Sequence, residues 1–163
     1  MSSTTPLPST MKAFVIDDTT QSNPIDNGKL QTNVPIPTIP SSSYALIQIL
    51  RAGICNTDLE ILQGYMGFKG ILGHEFVGTV VALHDDTPED IKQKWLNKRV
   101  CGDINLSCCN NNPPPKCGIC HDALQYNKTN SQMSRNHCPN RTVLGILNQN
   151  GTFCEYMILP IMN

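Results

Sequence analysis

The stretch YALIQILRAG, residues 44–53, sets apolar against polar positions with a period of two, the pattern of a half-buried β-strand. MKAFVID (11–17) is likewise rich in strand formers, and the turn residues of DDTTQSNPIDNG close it off. GHEFVGTVVALH (73–84), RVCGDINL (99–106) and GTFCEYMILP (151–160) read as further strands. VPIPTIPSSS (34–43) carries its three prolines where an edge or an extended connector would run. The helical patterns are short. CNTDLEILQG (55–64) offers Asn56 or Thr57 as N-cap and Gly64 as stop, which puts Cys55 at a strand-to-helix junction. TPEDIKQKW (87–95) has Thr87 as N-cap, Pro88 at the first helical position and Asp90 three residues after the cap. A cysteine-rich segment, a polar stretch (122–136) and a loop around RTVLGILNQNG fill the rest. Many short strands with Gly and Pro punctuation predict one mostly β domain over 11–163, behind a disordered polar tail, 1–10.

Length agrees with that reading, since 163 residues suit one domain that buries roughly two-thirds of its unfolded surface and needs no disulfide. Charge removes whole classes of partner. With 12 Lys plus Arg scattered among 13 Asp plus Glu, no basic stripe exists for nucleic acid and no polybasic patch for a membrane surface. No apolar run approaches the ~20 residues of a spanning helix. MSSTTPLPST lacks the marks of a secretory or mitochondrial leader, so the expectation is a soluble, cytoplasmic protein. In that compartment the eight cysteines are metal ligands or free thiols sooner than disulfides.

Two groups of residues carry candidate chemistry. Cys55 with His74 and Glu75 supplies a thiolate, an imidazole and a carboxylate, a set that zinc accepts with one position left open for water or substrate. On composition alone, a lone Cys and a lone His are more often core residues than ligands. The second group is SCCNNNPPPKCGIC (107–120), where a Cys-x-x-Cys unit stands beside an Asn/Pro run.

The surroundings of these residues are more specific. RAGICNTDLEILQGYMGFKGILGHEFVGTVV, KRVCGDINLSC, CGIC, NHCPNRTVLGI and GTFCEYMILP occur in an order and rough spacing that resemble the amino-terminal half of the zinc-dependent medium-chain dehydrogenases, a family of alcohol, polyol and threonine dehydrogenases. The resemblance covers about 11–163 and implies a GroES-like, partly open β-barrel with short helices and a zinc-binding loop lobe. It also implies a catalytic zinc on Cys55 and His74, with Glu75 either a third ligand or a nearby movable group; a salt-bridged strand carboxylate is the plain alternative. Thr57 falls where relatives keep a hydroxyl that relays the alcohol proton, a task that competes with N-capping. Many relatives have a His where this chain has Glu60, so the outer relay differs.

The same resemblance implies a closed structural zinc site on Cys108, Cys117, Cys120 and Cys138, in a lobe spanning about 107–139. Relatives usually leave about two residues between the first three cysteines and about seven before the last. Here the gaps are 8, 2 and 17 residues, so two have grown. Cys108 matches the first ligand better than Cys109 does; His121 and His137 are loop histidines or substitute ligands, and a lobe without zinc is the alternative. Cys101 and Cys154 lie in strand patterns and read as small core residues. Tyr65, Met66 and Phe68 follow the first helix and would line one wall of a substrate cleft, or stand as exposed loop residues.

No Gly-x-Gly-x-x-Gly turn occurs, and the glycines at 64, 67, 70 and 73 read as loop glycines, so a Rossmann domain is absent from these residues. The ending LPIMN falls where relatives run on toward their cofactor domain, which reads as a truncation. The functional expectation is the zinc-binding half of an NAD(P)-dependent alcohol or polyol oxidoreductase, inactive alone. NAD or NADP would enter only with a C-terminal domain, the partner would be a small-molecule alcohol substrate, and a homo-oligomer is left open. The alternative is a non-enzymatic zinc-binding module.

Overall fold

The computed structural model describes residues 6–17, 23–108, 117–125 and 136–162. Cys109 and the Asn/Pro run lie outside these residues, as do the first five of the tail. Strands dominate, in open sheets: β1 (Thr10–Ile16), β2 (Gly28–Pro35), β3 (Tyr44–Gly53), β4 (Gly70–Ile71), β5 (Glu75–Leu83), β6 (Arg99–Val100), β7 (Asn105–Leu106), β8 (Thr142–Leu144), β9 (Asn148–Gln149) and β10 (Tyr156–Pro160). Among the described residues the α-helices are α1 (Asn56–Leu62), α2 (Glu89–Trp95) and α3 (Gly118–Gln125), all short. The sheets run β2-β1-β4, β10-β3-β5-β6 and β7-β8-β9, and among the described residues only β8 and β9 pair in parallel. No helix of the described residues is long and apolar enough to cross a membrane.

The long antiparallel pair β3/β5 is the frame of the molecule. Its register runs from Ala45 opposite Leu83 to Gly53 opposite Glu75, with two bulges. Ala45, Ile47, Phe76, Val80, Met157 and Leu159 meet across this sheet, and Leu106 and Leu144 from the third sheet close over them. β3 is less regular than alternation predicts: Ala45, Leu46 and Ile47 are all buried, whereas Leu50 and Ala52 are exposed. Cover is unequal: residues 7–9 and 36–39 line one pocket with Leu46 and its neighbour Ala82. A second cluster, Ile16, Ile61, Phe68 and Leu72, holds α1 against β1.

Several elements depart from the sequence reading. GKLQTNVP forms edge strand β2, which polar composition and flanking turn residues disguise. RVCGDINL divides into β6 and β7, and GTFCEYMILP becomes regular only from Tyr156. RTVLGILNQNG holds β8 and β9, and GICHDALQ forms α3. α2 starts at Glu89 and Thr87 does not cap it; the buried Thr87 hydroxyl donates to the Ser42 carbonyl at 3.4 Å. Of the four glycines spaced by three, Gly70 opens β4, and all four have positive φ.

Candidate metal centres

Cys55 sits where β3 gives way to α1, with φ −102° and ψ 160°, and it is the N-cap itself, ahead of Asn56. Its backbone N–H donates to Asp58 Oδ2 at 2.8 Å, the return half of a capping box. That assignment takes the N-cap role away from both Asn56 and Thr57. Thr57 is half-buried, and the Cys55 thiol points to its hydroxyl at 3.9 Å. Glu60 is exposed one turn further on, where Oε1 accepts from Asn56 Nδ2 at 2.9 Å.

His74 arrives from the other side, between β4 and β5. Gly73 before it has φ +95°, and any Cβ there would strike the Phe153 ring, so only glycine makes this turn. Backbone bonds from Gly151 to Ile71 (2.7 Å), Thr152 to Gly73 (3.0 Å) and Phe153 to Leu72 (2.8 Å) clamp the segment. Glu75 then opens β5 opposite Gly53. One ligand atom each from Cys55, His74 and Glu75 lies within 4.8 Å of the others. Among the described residues no hydrogen bond or ion pair holds the Glu75 side chain, which is unlike a strand carboxylate recruited for a salt bridge.

Asp58 is the site residue that the sequence reading missed. It is 1% exposed, His74 is 6% exposed, and Asp58 Oδ1 stands 3.3 Å from His74 Nδ1. The pair is in ion-pair range although its alignment falls short of a hydrogen bond. A buried carboxylate facing Nδ1 orients the imidazole so that Nε2 is the nitrogen left for a metal. Asp58 Oδ1 and His74 Nδ1 are buried without a hydrogen bond, and such atoms fit a site in which a cation lies beyond the imidazole. The signal was present in Cys-x-x-Asp, the spacing of a capping box with a cysteine in the capping position.

The second centre assembles Cys108, Cys117, Cys120 and Cys138, whose sulfurs also lie within 4.8 Å of one another. All four are free thiols, three of them buried. Cys108 to Cys117 and Cys117 to Cys138 are each 3.7 Å between sulfurs. A tetrahedron with ~2.3 Å metal–sulfur bonds has edges of about 3.8 Å, so the cage has the dimensions of a zinc site. Backbone N–H groups turn inward: Cys108 donates to Cys138 Sγ at 3.4 Å and Cys120 to Cys117 Sγ at 3.5 Å. Burial pushes the Cys138 thiol up, but hydrogen bonds from the Cys108 and Asn140 backbones and the neighbouring thiols outweigh it and hold it below the usual value. His121 and His137 are exposed and outside the cage.

The remaining candidates separate. Cys101 is exposed and outside any strand, not a core residue. Cys154 is half-buried; burial pushes its thiol up to about 12, and the protonated sulfur donates to the Tyr156 carbonyl at 3.2 Å. Phe68 is core, packed with Ile16, Ile61 and Leu72, whereas Tyr65 and Met66 are half exposed on the turn after α1. An apolar cleft of about 390 Å³ is lined by Ala52, Ile54, Leu59 and Phe153, with Asp58 among its residues.

The family model of the alcohol dehydrogenase GroES-like domain matches residues 41–163. An L-threonine 3-dehydrogenase of Streptomyces coelicolor is 34% identical, covering 94% of this chain and 38% of its own. Among solved structures, an alcohol dehydrogenase of Escherichia coli complexed with NADH has a TM-score of 0.69 at 27% identity, covering 96% of this chain and 38% of its own. A zinc-binding dehydrogenase of Sinorhizobium meliloti bound to NADP has a TM-score of 0.67 at 28% identity, with the same coverage. The chain thus spans somewhat over a third of the length of these relatives.

Proposed function

The chain belongs to the alcohol dehydrogenase GroES-like domain family, and from that premise we propose that it is the zinc-carrying catalytic portion of an NAD(P)-dependent dehydrogenase acting on a small alcohol substrate. The observation that carries the reading is the convergence of Cys55, His74 and Glu75, with the buried Asp58 behind the imidazole. Three protein ligands and one open position are the design of a catalytic zinc site, and four thiolates that of a structural one. Bound at the first site, zinc would supply Lewis acidity that favours loss of the alcohol proton.

The chain's own residues then have distinct tasks. Cys55 and His74 would hold the metal from two elements, and Asp58 ties both together through the Cys55 backbone and the imidazole. Thr57, freed from capping and next to the Cys55 sulfur, accepts the substrate proton and passes one on, because a hydroxyl donates and accepts at once. Glu60 lies three residues further on the same helix face and is exposed, so it delivers that proton to water. A nicotinamide, as supported by the NADH and NADP of the two solved relatives, would supply the hydride acceptor. These 163 residues contain no dinucleotide-binding turn, so the nucleotide would be held by the portion that the relatives have in addition.

Zinc content tests the two sites separately. The wild-type protein is expected to carry about two zinc ions per chain, and Cys55→Ser and Cys117→Ser each about one. Zinc lost only on Cys117→Ser would remove the catalytic assignment. Alcohol-dependent reduction of NAD or NADP is expected to be undetectable with the 163 residues alone and to appear in a fusion that adds the nucleotide-binding portion of the Streptomyces relative. Turnover by the 163 residues themselves would show that they hold the nucleotide unaided.

A further inference from the structure

Gly53 ends β3 directly opposite Glu75. Its φ is not in the left-handed region, so the chain's path does not demand glycine there, and glycine weakens a strand. The reason lies across the sheet. A Cβ on Gly53 would stand 2.5 Å from Glu75 Oε2 and 3.2 Å from Glu75 Cβ, and every atom it approaches most closely belongs to Glu75. Gly28 and Gly73 would first strike an aromatic ring, and Gly145 and Gly151 backbone, whereas the atom nearest Gly53 is the end of one flexible carboxylate that can swing away.

We propose that Gly53 is a positioning residue: its missing side chain is the space from which the Glu75 carboxylate reaches the metal alongside Cys55 and His74. This rests on the reading of Glu75 as a ligand. Any side chain at position 53 would push Glu75 outward and leave a two-ligand site. The strand would persist, since alanine suits its backbone better than glycine does.

The test is titration of cobalt(II) into the full chain carrying one equivalent of zinc in the four-cysteine cage, read by visible absorption and by competition with a chelator. Gly53→Ala is expected to weaken cobalt binding about 10–100-fold and to change the d–d bands, as Glu75→Ala does. The double variant should bind no more weakly than Glu75→Ala alone, because both changes remove the same contact. Wild-type binding by Gly53→Ala while Glu75→Ala binds weakly would overturn the role of Gly53 and leave Glu75 a ligand, and so would effects that add. Wild-type binding by Glu75→Ala would remove Glu75 from the ligand set and this inference with it. Should Gly53→Ala fail to fold, folding restored by Glu75→Ala in the same chain supports the shared space; no restoration overturns it.

Discussion

Cys120→Ser is expected to release the metal of the four-cysteine cage and, with it, the structure of the segment around it. The cage's own packing cluster consists of Cys108, Cys120 and Cys138 with Cys117 against them, and no aliphatic side chain belongs to it among the described residues. α3 is eight residues long, below the roughly 12–15 at which an isolated helix begins to hold in water. What remains to order the segment is metal binding, worth about 10–16 kcal/mol for structural zinc in small peptides near neutral pH. The lengthened gaps oppose this only weakly. At ~0.6 kcal/mol per doubling of loop length, going from about two to eight residues and from about seven to seventeen costs ~2 kcal/mol in all. Hydrogen exchange is the measurement. In Cys120→Ser the amides of 117–125 and 136–138 should lose protection, while those of β3 and β5, whose core excludes the cage, keep it. Protection unchanged after loss of the metal would show that side-chain packing holds the lobe unaided.

Much of this architecture was legible because its main elements are long enough to show a period. YALIQILRAG and GHEFVGTVVALH became the paired strands β3 and β5, and the junction at Cys55 followed from where one period ends and another begins. Two-residue and three-residue strands such as β6 to β9 are too short to display alternation, and β2 is an edge strand with exposed Leu30 and little apolar signal. The metal-site residues were visible as chemical types in order, and the structure brings both sets together. Asp58 was hidden for a different reason. Its importance comes from an imidazole sixteen positions later, and no local pattern announces that a helix-capping carboxylate has a second oxygen facing another element. Phe68 was misplaced because a turn with φ +62° at Met66 and +57° at Gly67 redirects the chain, so Tyr65 and Phe68 face opposite environments.

Gly151→Ala is expected to be among the most damaging single substitutions, although the glycine holds no chemistry. A Cβ at position 151 would fall on the carbonyl oxygen of Gly73 and within 2.8 Å of the Gly145 Cα and the Leu72 carbonyl carbon. All three are backbone atoms, so no rotamer change relieves the overlap. Gly145 is packed against the same Gly73 carbonyl, which makes positions 73, 145 and 151 a three-way contact of bare backbone immediately before His74. Overpacking typically costs 1–3 kcal/mol, and with only backbone to move the loss here should be about 3 kcal/mol or more, a large part of the 5–15 kcal/mol of an ordinary domain. Gly64→Ala is the comparison. Its φ of +96° carries the strain of ~1–2 kcal/mol for a left-handed residue, but open space surrounds it. Urea unfolding of the zinc-loaded proteins should therefore place the Gly151→Ala midpoint well below that of Gly64→Ala. Because the clamp from Gly151 to Ile71 also fixes the path into His74, molecules of Gly151→Ala that remain folded should bind metal more weakly at Cys55 and His74 than at the cysteine cage. Equal midpoints for the two variants would mean that the 145–151 segment can shift outward, and that His74 owes its place to Asp58 instead.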